Sequence, residues 1–199
     1  LTFTDNGNGM SPDKLHRMLS FGYCEKVEIN GHKPVGHYGN GFKSGSMRLG
    51  KDAIVFTKHR DTLSVGFLSQ TYLQAINSQT VLVPIVTYNR KTKRLLDSVD
   101  CRASLQAITQ HSIFRTQSQL LNEFESALDS YDNGTKIVIY NLKRGSDNKF
   151  ELDFESAPHD MINSESMELD FATQYRPVKE YQPEYRRSLW EYLSILFLK

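Results

Sequence analysis

Cysteine is scarce. Cys24 and Cys101 are the only two in 199 residues, they lie far apart, and they form no C-x-x-C pair. This argues against a disulfide-stapled scaffold and against a thiolate zinc site, and both read as free intracellular thiols. Long apolar runs are missing as well. The stretch around Val81-Leu82-Val83 falls far short of the roughly 20 apolar residues that a membrane-spanning helix needs. No signal-peptide pattern opens the chain, so the triplet Asn133-Gly134-Thr135 reads as a chance match to a glycosylation site. Excess charge of one sign is absent too. Lysine and arginine number 24 against 23 acids, a net charge of +1, so the bulk balance demands neither nucleic acid nor membrane.

What is present suits a globular chain. The hydrophobic fraction is 39% and the charged fraction 24%, enough for one sizeable core, or for one domain and part of another. Both ends read as cut: Leu1-Thr2-Phe3-Thr4 opens directly as a strand, and Leu196-Phe197-Leu198 is apolar almost to the last position.

The pattern predicts mixed elements. A strand over residues 1–4 ends at the turn Asp5-Asn6-Gly7. Ser11-Pro12-Asp13 then starts a helix, with serine at the N-cap, proline in the first turn and an acid beside it, and Leu15, Met18 and Leu19 supply its apolar face. Residues 20–35 lose all periodicity and read as a long functional loop. Helical spacing follows the glycines of residues 36–50. Residues 53–57 and 62–68 read as a hairpin turning near Arg60-Asp61, and residues 80–88 as a further strand. Helices are expected over 104–111 and 117–128, a strong strand over 134–142, and a weaker one over 150–154 whose wet face carries Glu151, Asp153 and Glu155. Residues 157–183 read as loop or linker, and 184–196 as helix. The class is α+β.

Two glycine motifs carry the chemistry. Asp5-Asn6-Gly7-Asn8-Gly9-Met10 is a D-x-G-x-G pattern between strand and helix. An ionised carboxylate only accepts hydrogen bonds; it suits the exocyclic amine of adenine and repels the carbonyl that guanine places there. Gly7 and Gly9 let backbone approach a flat base. Read alone, the stretch is equally a plain Asp-Asn-Gly turn capping the next helix. Gly36-His37-Tyr38-Gly39-Asn40-Gly41-Phe42-Lys43-Ser44-Gly45 is G-x-x-G-x-G leading into a helix. Its freed N–H groups and the helix N-terminus suit phosphate oxygens, and Lys43 offers a point charge to a β- or γ-phosphate. Phe42 interrupts the Gly-Lys-Ser of a Walker loop, and the glycine order is the reverse of a Rossmann fingerprint. Alone, this too reads as a close-packed glycine turn. Together, in this order and separated by a helix and a long pliable segment, the motifs describe an adenine-nucleotide site of the Bergerat kind. Thr135, at the start of a late strand, is placed to hold the aspartate against the base.

The residues around these motifs resemble the MORC (microrchidia, CW-type zinc finger) ATPases. The likeness is carried by residues 5–10, by Met18-Leu19-Ser20-Phe21-Gly22, by residues 39–53, and by Leu68-Ser69-Gln70-Thr71-Tyr72 and Val83-Pro84-Ile85. It implies a GHKL two-layer α/β sandwich over residues 1–180 and the start of a transducer-like, S5-like domain over 181–199. It implies ATP with Mg²⁺ as ligand, held by Asp5, Gly7, Gly9, Met10, Ser20, Phe21, Gly22, Gly36, His37, Tyr38, Gly39, Asn40, Gly41, Phe42, Lys43 and Thr135. It further implies a homodimer formed on nucleotide binding, action on chromatin or DNA, and a nuclear location. The family's magnesium-binding asparagine, water-activating glutamate, transducer lysine and CW finger fall outside residues 1–199. These residues alone are therefore expected to be inactive, with no catalytic or metal-binding residue among them. A chaperone-like, MutL-like or histidine-kinase-like relative, or a non-catalytic module binding nucleotide or DNA, stands as the alternative. The basic run Arg90-Lys91-Thr92-Lys93-Arg94 reads as a solvated hairpin tip.

Overall fold

A computed structural model describes residues 1–20, 39–96, 99–163 and 184–197. The chain divides into two compact units, Leu1–Asn141 and Leu142–Lys199. The boundary expected from the sequence falls after residue 180 instead.

The first unit is built on β1 (Thr2–Asp5), β2 (Gly50–His59), β3 (Thr62–Ser69), β4 (Ile85–Asn89) and β5 (Gly134–Leu142), in the order β1-β5-β2-β3-β4. The hairpin expected at Arg60-Asp61 is there, with Arg60 in the left-handed region at φ 48°. Its register sets Ile54 opposite Phe67, Val55 opposite Gly66 and Phe56 opposite Val65. Because side chains alternate along a strand, these pairs sort to opposite faces of the sheet. Ile54, Phe56, Leu63, Val65, Phe67, Val86 and Tyr88 pack against Ile108 of α4 (Val99–His111) and Leu120, Phe124 and Leu128 of α5 (Gln117–Leu128). Phe56 is central, edge-on to Phe114 at 5.3 Å and to Phe124 at 5.5 Å. Each such aromatic pair is worth about 0.5–1.5 kcal/mol beyond its burial.

The other face takes α1 (Pro12–Leu19) and α2 (Gly41–Leu49) through Leu15, Leu19, Val55 and Leu68, with Met10, Met18, Phe42 and Met47 at the margin. Gly66 makes the notch for α1: a Cβ there would stand 2.4 Å from Leu19 Cδ1. Ser11 caps α1, as its sequence predicts, accepting from Lys14 N at 3.4 Å, with Pro12 in the first turn. Thr116 and Gln119 form a reciprocal capping box at the start of α5. The architecture is a mixed α+β sandwich of one sheet and its packed helices.

Three differences from the sequence pattern have local causes. The strand expected from residue 80 begins only at Ile85, because Pro84 has no N–H for the ladder. A short helix, α3 (Gln70–Ala75), follows β3 where no periodicity announces it. Ser69 caps it, accepting from Tyr72 N at 2.8 Å. Helix α4 starts five residues before the expected 104, at Val99.

In the second unit, β6 (Leu152–Asp153) pairs with β7 (Ile162–Asn163), and a 3-10 turn at Glu184–Arg186 precedes α6 (Leu189–Leu196). Asp160 anchors that helix, accepting from Ser188 Oγ at 2.5 Å and Trp190 N at 2.9 Å. These bonds, the serine's first, hold its carboxyl below the usual range. Glu151 departs from the expected wet face: it is buried and paired with Lys143 at 3.1 Å. Residues 164–183, most of the expected linker, lie outside the described residues. No helix among the described residues is long and apolar enough to cross a membrane.

Candidate functional site

The first motif sits at the end of the sheet's edge strand. Asp5 closes β1, and the antiparallel register sets it opposite Thr135, the second residue of β5. Thr135 is buried and Asp5 is exposed. Asp5 Oδ1 accepts the Gly7 N–H at 2.8 Å, so the carboxylate is oriented by its own turn while remaining open to solvent. A Cβ on Gly7 would stand 2.8 Å from that oxygen. A Cβ on Gly134 would stand 2.4 Å from Asp5 O, so the close approach of β5 to the aspartate requires glycine there as well.

Residues 8–10 then lie on the end of β2. Gly9 has φ 62°, and a Cβ would come within 2.1 Å of Lys58 O and 3.2 Å of Gly134 O. On either side of it, His59 Nδ1 meets Asn8 O at 2.7 Å, and Met10 N donates to Thr57 Oγ1 at 2.7 Å. Lys58 is itself buried and donates to Leu128 O at 2.9 Å; burial lowers its pKa. The sequence pattern passes over Thr57 and His59, because nothing in a run of strand residues distinguishes the one that grips a loop. Gly134 is legible there only as the start of a strand.

The second motif leads into α2. Gly39 has φ 65°, and Asn40 occupies the N-cap position without a side-chain cap bond. The first-turn amides of α2 form the anion-favouring end of that helix. Phe42 turns into the apolar cluster with Leu15 and Leu19. Lys43 is buried: its ammonium donates to Met18 O at 2.9 Å, to Ser20 O at 2.7 Å and to Gly39 O. Burial lowers its pKa. The carbonyls of Met18 and Ser20 close α1, where negative partial charge gathers, so one ammonium ties the exit of α1 to the entry of α2. A phosphate would compete with these carbonyls for it. Lys43→Met leaves three carbonyls without that donor and is expected to lower stability by about 1–3 kcal/mol. Urea denaturation of the variant checks this.

Helix α1 joins the two motifs, its first turn following Met10 and its last carbonyls meeting Lys43. Met10 and Phe42 edge the same apolar cluster. Phe21, Gly22, Gly36, His37 and Tyr38 lie outside the described residues, as does most of the segment expected to be a long loop. Among the described residues, no group of three or more His, Cys, Asp or Glu comes together to hold a metal. The basic run lies at a turn after β4, where Asn89 Oδ1 accepts from Lys91 N at 3.0 Å and Thr92 N at 2.9 Å. It is a solvated tip in the structure as in the sequence pattern.

A carboxylate on a glycine turn at a strand end, followed by a helix and a second glycine turn, is a nucleotide-binding arrangement. Residues 1–104 match the family of histidine kinase-, DNA gyrase B- and HSP90-like ATPases, and the chain belongs to that family. Its relatives narrow the class to MORC proteins. It is 52% identical over 204 residues to MORC family CW-type zinc finger protein 3 of Mus musculus, covering all of this chain and 21% of that protein. It is 35% identical over 214 residues to Protein MICRORCHIDIA 7 of Arabidopsis thaliana, covering 100% of this chain and 29% of that protein. It is also 35% identical over 200 residues to ATPase MORC2 of Homo sapiens, covering 100% of this chain and 18% of that protein. The chain thus spans less than a third of the length of these relatives.

Proposed function

We propose that this chain is the ATP-binding part of a nuclear, chromatin-acting ATPase of the MORC type, and that nucleotide binding gates its homodimerisation. The observation that carries the reading is the placement of Asp5. Its carboxylate is exposed and oriented by Gly7 N–H, backed by Thr135 across the ladder, and bordered by Gly7 and Gly9, where no Cβ fits. That is an acceptor set against a surface flat enough for a purine.

In this reading Asp5 takes the adenine amine, with Gly7, Gly9, Met10 and Thr135 around it. Ser20, Gly39, Asn40, Gly41, Phe42 and Lys43 form the phosphate end, together with Phe21, Gly22, Gly36, His37 and Tyr38. The ATPase domain takes in residues 1–180, and a transducer-like domain starts at 181. Magnesium accompanies the phosphates; no described residue is assigned to it, and no described residue is assigned as the base for hydrolysis.

The test is calorimetric titration of the full-length protein with a magnesium-loaded, non-hydrolysable ATP analogue, beside Asp5→Asn. Replacing the acceptor oxygen with an amide removes a charge-assisted bond and sets donor against donor. Affinity is expected to fall by at least about 10-fold. Light scattering with and without the analogue tests the dimer. A mass that doubles with nucleotide supports the gate, and an unchanged mass overturns it.

A further inference from the structure

The glycine turn of residues 8–10 is held residue by residue against three consecutive positions of β2. Asn8 O meets His59 Nδ1, Gly9 lies against Lys58 O, and Met10 N donates to Thr57 Oγ1. Thr57 is fully buried. A valine would fill the same space, and a buried hydroxyl without a partner is unfavourable, so this hydroxyl needs an explanation. Across the sheet, Thr57, Ser64 and Thr87 stand in one row by register. Ser64 and Thr87 bond to each other at 3.1 Å. Thr57 turns the other way, accepting from Met10 N at 2.7 Å and lying 3.5 Å from both Met10 O and Gly134 O. One hydroxyl therefore serves the glycine turn and faces the start of β5, the two segments that bracket Asp5. His59, two residues on and on the same face, carries its proton on Nδ1 to donate to Asn8 O.

We propose that Thr57 is a positioning residue of the nucleotide site, with His59 as its second point of attachment, and that it fixes the height of residues 8–10 beneath the base. This rests on the nucleotide reading above. Without the hydroxyl, Met10 N–H must find water or another acceptor. It can do so only by lifting off β2, and the lift carries the turn out of line with Asp5. Neither side chain touches the nucleotide; both act through the backbone that does.

The experiment compares Thr57→Val, Thr57→Ser and His59→Ala with wild type and Asp5→Asn in the full-length protein. Binding of the magnesium-loaded ATP analogue is measured beside thermal unfolding. Thr57→Val is expected to weaken binding about 10-fold, the worth of one buried donor left unmet. Thr57→Ser restores affinity to within about threefold, because it keeps the acceptor while losing the methyl. A role in packing alone would give the reverse order, serine worse than valine, and would show in unfolding and not in affinity. That result overturns the proposal. Should Thr57→Val not fold, His59→Ala decides: weakened binding supports the proposal and unchanged binding overturns it. If Asp5→Asn loses binding while Thr57→Val and His59→Ala keep it, the positioning role fails and the nucleotide reading stands. No binding by folded wild type overturns both.

Discussion

Gly9→Ala is expected to abolish nucleotide binding and to destabilise the first unit by roughly 3–5 kcal/mol, by the addition of two independent costs. The first is local. Gly9 has φ 62°, where an L-residue with a Cβ costs about 1–2 kcal/mol. The second is steric. The new methyl would fall 2.1 Å from Lys58 O, and the obstacle is backbone within a strand, not the yielding end of a side chain. The turn would have to rise off β2 and break the Met10–Thr57 bond as it went. Gly45→Ala is the control. It lies inside α2, where an added methyl would meet nothing within 4 Å and φ is ordinary for a helix, so alanine there should stabilise by about 0.5–1 kcal/mol. Urea denaturation and analogue titration of both variants check the contrast. Equal stability of the two would mean that the fit of residues 8–10 on β2 is loose.

Asp52→Ala is expected to destabilise the first unit by about 3–5 kcal/mol, the cost of removing a buried charged partner. Asp52 is 1% exposed. Its Oδ1 accepts from Ser69 Oγ at 2.5 Å and Thr71 N at 3.2 Å, and its Oδ2 from Thr71 Oγ1 at 2.8 Å and Asn141 Nδ2. These donors come from the end of β3, from α3 and from the end of β5, so one carboxylate gathers three elements. Alanine strands all four donors at once. Asp52→Asn keeps the volume and one oxygen but turns an NH₂ toward donors, and should cost less than alanine. Chemical denaturation of the pair separates lost charge from lost shape. Nucleotide affinity in either folded variant should stay near wild type, because Asp52 contacts neither glycine motif.

The two motifs are legible because each is spelled in consecutive residues. Asp5, Gly7 and Gly9 announce a turn where a side chain would obstruct, and the structure finds that obstruction at Gly7 and Gly9. The β2–β3 hairpin and helices α1 and α5 are legible because their apolar periods and caps are local. Helix α3 is not, since six residues carry too little periodicity and its cap, Ser69, is fixed by Asp52 from another strand. The pattern before Ile85 misleads because Val81, Leu82 and Val83 favour β structure, while Pro84 withholds a ladder donor. Glu151 misleads for a related reason: alternation places it with Asp153, and only its pairing with Lys143 draws it inward. Thr57, His59 and Gly134 belong to the site through contacts with residues far away in sequence, and no spacing rule reports those.

The notch at Gly66 has a consequence for the site as a whole. Leu19 occupies the space that a Cβ would fill, which fixes where α1 lies along the sheet. Its eight residues rise about 12 Å from end to end, with Met10 just before the first turn and Lys43 held at the last. The helix is thus a ruler between the base-reading end and the phosphate-holding end. Its length is quantised: one added residue turns everything beyond it by about 100°, carrying Leu19 out of its notch and the last carbonyls away from Lys43. The span of a ligand that fits both ends is set in whole turns of helix, and substitution elsewhere in the loops cannot retune it.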